Sequence, residues 1–193
     1  MSVLSRMIFE RYSEQMISLL HKRNWDDVLE LATAIHEIWS TGGQLLICWN
    51  GGSAGNAVHL ANDFLYGVVK DKSSRGIRVE ALSANPAVIT CLANDIGYED
   101  IYSVQIETKG SRGDVLLVLS GSGNSPNIVR ALEAGNKIGM RTYAILGYTG
   151  GSCKDLADVA IHFPIEDMQI SEDLQLIVGH MCMQWLWSEN SKG

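Results

Sequence analysis

Apolar residues recur at helical spacing at the start of the chain, and the period then changes. Over residues 3–22, Leu4, Met7, Ile8, Tyr12, Met16, Leu19 and Leu20 share one side of a 3.6-residue repeat, which predicts a helix. A second helix is predicted next, capped by Asn24, with Asp26 and Asp27 in its first turn and Gly42-Gly43 ending it. Its apolar stripe is Val28, Leu31, Ala32, Ile35, Ile38 and Trp39. From Gln44 onward, short apolar runs alternate with amphipathic stretches. The runs predict strands near 44–49, 77–82, 114–120, 141–147 and 158–163, and the stretches predict helices near 53–67, 86–94, 99–108, 125–138 and 168–188. Asn85-Pro86 reads as a cap followed by the residue favoured at a first helical position. The polar stretch 70–76 reads as a loop.

Such alternation makes a parallel sheet covered on both faces, with ligands at the carboxyl ends of the strands. The predicted class is therefore α/β: a three-layer α-β-α sandwich with a five-stranded, Rossmann-like parallel sheet plus an N-terminal helical arm. One domain is expected over residues 1–193, with the leading helices in 1–43 and the α/β core and terminal helix in 44–193. The two leading helices exceed what such a unit needs; oligomer contacts and a covering layer are both open to them.

Charge and cysteine usage narrow the function classes. A formal charge of −7 with no basic cluster argues against nucleic-acid binding. No apolar run approaches the roughly 20 residues of a membrane helix, and the first residues lack a signal-peptide pattern, so no membrane partner is expected. Cys48, Cys91, Cys153 and Cys182 are scattered without a C-x-x-C pair, which predicts reduced, mostly buried thiols and a cytoplasmic protein.

The candidate chemistry begins with one loop. The run Asp114 to Leu119 ends in Ser120-Gly121-Ser122-Gly123-Asn124-Ser125, and Pro126 opens a helix with Ser125 as its N-cap. Backbone N–H groups at a helix N-terminus, the helix dipole and three serine hydroxyls together favour an anion, which predicts a phosphate-bearing small molecule. A plain strand-to-helix connection has the same composition. The third glycine of a dinucleotide fingerprint is missing, no acidic residue ends the run Arg141 to Leu146, and no Lys follows the glycines, which argues against nucleotides. A second such turn, Asn50-Gly51-Gly52-Ser53, ends the first strand on the same edge of the sheet and strengthens the anion reading.

On the helix after that turn, His59 and Asp63 share a face with Cβ atoms about 6 Å apart. The spacing suits a divalent metal or a proton-transfer pair, and equally an ordinary surface pair. On the last helix Glu172 and His180 lie about 80° apart around the axis. His180 sits among Leu174, Ile177, Val178, Met181, Trp185 and Leu186, so a core histidine fits that position as well as a cavity-facing one. Asn94-Asp95 falls near the strand ends, where a helix-capping role is also open. His21 and His36 are expected in solvent, and His162 is assigned no role.

Together these stretches resemble the sugar isomerase (SIS) domain family and, within it, the phosphoheptose isomerases. The matching stretches are Asn50-Gly51-Gly52-Ser53 with His59, Asn94-Asp95-x-Gly97-Tyr98, Gly113-Asp114 leading into Ser120 to Ser125, Gly150-Gly151, and the terminal helix with Glu172 and His180. The resemblance implies an aldose–ketose isomerase acting on sedoheptulose 7-phosphate, a homotetramer with sites between subunits, and one zinc per subunit. By that similarity Ser120, Gly121, Ser122 and Ser125 hold the phosphate; Asn50, Gly51, Gly52 and Ser53 line the sugar site with Asn94 and Asp95. His59, Asp63, Glu172 and His180 fall at the metal positions, and Asp63, His180 and Glu172 at the catalytic ones. The chain departs from the family pattern at Asp63 (usually Glu), Glu172 (usually Gln), Gly121 (usually Thr) and Trp49 (usually small). Asp reaches about 1.5 Å less far than Glu, so Glu172 is expected to compensate by taking part of the metal or base role, and Trp49 to narrow the sugar site. A non-catalytic relative that associates with a replication initiator and an isomerase or binder of another sugar phosphate are the alternatives; His180 favours an enzyme.

Overall fold

The five apolar runs pair as parallel strands in the order β2-β1-β3-β4-β5: β1 (Gln44–Cys48), β2 (Arg78–Ala81), β3 (Val115–Ser120), β4 (Arg141–Leu146) and β5 (Val159–His162). The computed structural model describes residues 3–21, 23–69 and 75–189. Every residue of β3, the middle strand, is buried, which is why its run is unbroken rather than alternating. A carboxylate fixes the register of the central pair at its start: Asp114 accepts from the Gln44 and Ser111 backbone N–H groups, both at 2.9 Å. Cys48 then pairs with Val118, so β1 and β3 end side by side.

Eight α-helices are described, covering both faces of the sheet: α1 (Val3–His21), α2 (Asp26–Thr41), α3 (Gly51–Asn62), α4 (Pro86–Asp95), α5 (Ser103–Lys109), α6 (Pro126–Ile138), α7 (Gly151–Leu156) and α8 (Met168–Glu189). The helices α2, α3 and α8 pack together on one face; α5, α6 and α7 form a second group. Helix α1 is joined to α8 by the Tyr12 hydroxyl, which donates to the Asp173 carboxylate at 2.5 Å. Close contact of α3 with α8 depends on Gly179: a Cβ there would stand 2.3 Å from the Leu60 Cδ2. No described helix is long and apolar enough to cross a membrane.

Several details differ from the pattern-based expectation. Asn85 caps α4 as predicted, accepting from Ala87 and Val88 N–H, with Pro86 next. Asn24 instead braces α2 from one position further out, where Trp25 is the cap residue and the Asn24 side chain accepts from Asp26 N–H at 3.0 Å. The predicted helix 99–108 divides into a 3-10 turn (Tyr98–Asp100) and α5. Helix α7 was not predicted, because its six residues are too short to display a period. Helix α3 continues into a π-helical turn over Asp63–Gly67, and the Phe64 carbonyl accepts from Ile77 N–H just before β2. Residue 22 and residues 70–74 of the predicted loop lie outside the described residues. His36 is not in solvent: it stands edge-on to Trp39 and Trp185. Cys91 is exposed, unlike Cys48, Cys153 and Cys182, and all four thiols are free.

Burial raises the Cys153 thiol to about 11 and the Cys182 thiol to about 12 from 9.0, and lifts the Cys48 thiol further. It likewise raises the Tyr12 and Tyr143 hydroxyls from 10.0 to about 12. A group with a raised folded-state value contributes stability that is complete below its unfolded value and lost as pH climbs through the folded one. The melting temperature should therefore hold level up to about pH 9 and fall continuously toward pH 12; a flat profile through that window would contradict the burial assigned to these groups.

Candidate active site

Side-by-side ends of β1 and β3 form the crevice at which the strand order reverses direction, the position where open α/β sheets take ligands. Two turns meet there. The first runs from Asn50, in extended conformation before α3, through Gly51 and Gly52 to the buried Ser53. Trp49, directly before this turn, is 6% exposed, and its carbonyl accepts from the Tyr102 hydroxyl.

The second turn is the serine loop between β3 and α6. Ser120 is buried, and its hydroxyl oxygen accepts from Gly123 N–H at 2.6 Å, so it shapes the loop from inside. Gly123 has φ +71°, and a Cβ there would lie 1.9 Å from the Gly150 carbonyl oxygen. The Gly123 carbonyl accepts from Cys153 N–H at 3.0 Å, and the Asn124 side chain accepts from Ser152 N–H at 3.0 Å, so the unpredicted α7 braces the loop. Ser125 is the N-cap of α6 but makes no side-chain capping bond, which leaves its hydroxyl for a ligand. Ser122, half-buried, accepts from Asn124 N–H at 3.4 Å. A Cβ at Gly121 would stand 2.5 Å from the sulfur of Met168, a flexible and partly exposed side chain.

The π-helical turn and α8 supply titratable groups. The Asp63 Oδ2 lies 3.3 Å from both His59 Nε2 and His180 Nε2, and the two imidazole nitrogens are 3.0 Å apart. His180 is therefore turned out of the core toward α3. For metal–ligand bonds of about 2.0–2.1 Å, neighbouring ligands of a tetrahedron stand about 3.3 Å apart. The three side chains present one face of such a tetrahedron and fit a small divalent cation with its fourth position open.

Glu172 is not in that group. Its carboxylate lies over the start of α3, where the Ser53 hydroxyl donates to it at 3.4 Å and a Cβ on Gly52 would stand 2.7 Å from its Oε1. The expectation of four ligands, His59, Asp63, Glu172 and His180, becomes a set of three, with Glu172 facing the sugar-side turn. Helical spacing gave the angle between Glu172 and His180 but not the direction of a flexible side chain. Asn94 and Asp95 are exposed at the end of α4; Asn94 donates to Asp95, Asp95 accepts from the Cys91 thiol, and no described hydrogen bond joins them to the crevice. His162 has a structural partner, its Nε2–H donating to the Tyr148 carbonyl at 2.9 Å. Tyr148, with φ 45°, is the one described non-glycine residue of positive φ.

One crevice residue, Asn127, was missed. Asn127, 2% exposed, and Asn50 exchange amide hydrogen bonds, and the Tyr98 hydroxyl donates to Asn50. Asn127 was recoverable from sequence as a polar residue in line with Ala131, Ala134 and Gly135 on the buried stripe of α6.

Residues 9–147 match the SIS domain. A phosphoheptose isomerase of Chlorobaculum parvum is 35% identical over 183 residues, covering 94% of this chain and 86% of the relative. The chain belongs to the SIS domain family, among the phosphoheptose isomerases. A Helicobacter pylori phosphoheptose isomerase is likewise 35% identical, over 171 residues, 84% of this chain and 88% of that one. Among solved structures, a phosphoheptose isomerase from Francisella tularensis superposes with a TM-score of 0.89 at 24% identity, covering 97% of this chain and all of that one. A Neisseria gonorrhoeae phosphoheptose isomerase gives a TM-score of 0.87, also at 24% identity, covering 96% of this chain and 100% of that chain. At that identity the two structures establish the fold.

Replacing Gly123 by Ala forces both an unfavourable left-handed backbone and a collision with the Gly150 carbonyl. Gly123→Ala should cost about 2–4 kcal/mol in urea denaturation; a cost below about 1 kcal/mol would mean that the loop relaxes freely.

Proposed function

We propose that the protein is an aldose–ketose isomerase converting sedoheptulose 7-phosphate to D-glycero-D-manno-heptose 7-phosphate by proton transfer between C1 and C2. One observation carries this reading. His59, Asp63 and His180 meet where α3 and α8 touch, and α3 itself starts at the Asn50–Ser53 turn beside the serine loop, so an anion anchor and an acid–base group are offered by connected elements. Membership of the phosphoheptose isomerase branch supports the substrate.

The chemistry requires removing a proton from C1 of the open-chain ketose, forming an enediol, and returning a proton to C2. The Ser122 and Ser125 hydroxyls and the N-terminal N–H groups of α6 hold the phosphate, while Ser120 and Gly121 shape the loop around it. This anchors the remote end of the sugar and orients the reacting carbons. Asn50, Gly51 and Gly52 line the sugar side, with the buried Ser53 behind them donating to Glu172. Asp63 is engaged by two imidazoles, whereas Glu172 accepts one long hydrogen bond and retains free lone pairs toward the sugar-side turn. Glu172 is therefore the base we assign, and the Asp63–His180 pair is shared with the metal group. We assign zinc to His59, Asp63 and His180; when bound it polarises a substrate oxygen.

A homotetramer with sites between subunits is supported by the exposed Met7, Ile8, Phe9 and Ile17 of α1. Four free thiols support a reducing cytoplasmic setting.

In a coupled assay the protein should turn over sedoheptulose 7-phosphate, and Glu172→Gln should lower kcat by about 100-fold or more. Full activity in Glu172→Gln would return the base role to Asp63, and no turnover in the parent would reject the isomerase. Elemental analysis should find roughly one zinc per chain, lost in His180→Ala, with chelation abolishing turnover and added zinc restoring it; zinc content unchanged in His180→Ala would remove that residue from the ligand set.

A further inference from the structure

The amide of Asn50 is accounted for almost completely within the protein. Its Nδ2 donates to Asn127 Oδ1 at 2.9 Å, and Asn127 Nδ2 donates back to Asn50 Oδ1 at 2.7 Å. The Tyr98 hydroxyl donates to the same Asn50 oxygen at 3.0 Å. A primary amide has two acceptor lone pairs and two N–H donors. Both lone pairs of Asn50 and one of its donors are thus occupied, and one N–H remains. The partners are held in turn. Asn127 is buried in the first turn of α6. Tyr98 lies in the 3-10 turn that Arg130 of α6 ties down through ion pairs with Asp100 and with Glu99 at 3.9 Å. The backbone next to Asn50 is fixed by the Tyr102 hydroxyl on the Trp49 carbonyl.

We infer that Asn127 and Tyr98 are positioning residues that convert Asn50 into a donor-only group in the crevice. With its oxygen consumed, Asn50 discriminates by chemistry: it accepts an oxygen acceptor as ligand and rejects a donor. On the isomerase reading, upon which this inference rests, that oxygen is the sugar carbonyl at C1 or C2, where negative charge develops in the enediol step. A preorganised donor aimed at such an oxygen stabilises the transition state more than the ground state. Asn50 and Glu172 would then act on opposite needs of one substrate, since Glu172 stands over Gly52 and Ser53 of the same turn. The pairing also joins the sugar-side turn after β1 to the phosphate-side helix after β3, so one reciprocal amide contact ties together two half-sites that the β1–β3 pairing brings side by side.

The test is a double-variant cycle in the full-length, zinc-loaded enzyme with sedoheptulose 7-phosphate. Asn127→Ala should lower kcat about 30-fold while KM changes by less than about threefold. In the Asn50→Ala background the same change should cost less than about threefold, because Asn127 acts through Asn50. Tyr98→Phe should lower kcat about fivefold and lose that effect in Asn50→Ala. Equal costs in both backgrounds, or a loss confined to KM, would overturn the inference. If Asn127→Ala does not fold, the Tyr98→Phe and Asn50→Ala cycle carries the same comparison. A second readout is independent of turnover. In nitrogen-resolved NMR the Asn50 side-chain amide, identified by its absence in Asn50→Ala, should exchange with solvent about tenfold faster in Tyr98→Phe and Asn127→Ala than in the parent. Unchanged exchange would overturn the inference, whereas altered exchange in a protein without isomerase activity would reject the isomerase reading and leave the positioning intact.

Discussion

Pairing of β1 with β3 is the constraint on which the site depends. The Asp114 carboxylate fixes where the two strands start, by holding Gln44 and Ser111 N–H groups, and equal rise along parallel strands then brings their ends level. From those ends, Asn50–Ser53 and Ser120–Ser125 emerge beside one another without help from any long-range loop. Shifting the register by one residue would send the inward side chains of a doubly buried strand to the other face and separate the turns. The buried run Val115–Ser120 therefore does two things: it supplies the middle of the core and it levels the platform.

A second organising contact lies between α3 and α8. The absence of a side chain at Gly179 lets the two helices approach closely against Leu60, and His180 follows directly in sequence. His59 precedes Leu60 in the same way. A close helix contact thus sits one residue from each histidine, so a buried, close-packed contact helps to fix the spacing of the imidazoles.

Most of the architecture was legible in the sequence because it rests on periodicity. Strand runs, long helices, the Asn85-Pro86 cap and the two glycine–serine turns fall where pattern and turn chemistry put them. Short or irregular winding was not legible: Gly151–Leu156 is under two turns, and the π-helical turn at Asp63–Gly67 keeps an ordinary helical sequence. Within the site, His59, Asp63 and His180 were legible as positions, and their meeting required the fold. Glu172 was placed apart from the histidines for a physical reason: spacing assigns a face to a residue, while rotamer and neighbours decide what the side chain reaches. Asn127 was overlooked although its pattern was informative, a polar residue in an otherwise apolar stripe.

The π-helical turn also makes chain length critical directly after Asp63. By releasing the Phe64 carbonyl to Ile77 N–H, it fastens the end of α3 directly to the approach of β2, and the backbone at Gly76 lies against the Leu65 carbonyl. The chain before residue 69 and after residue 75 is thus clamped together by these two contacts. Losing one residue from the turn itself would rotate everything after it by about 100°. The residue count of this turn is therefore fixed by two neighbours at once, the α3 helix that ends in Asp63 and the strand that its carbonyl holds.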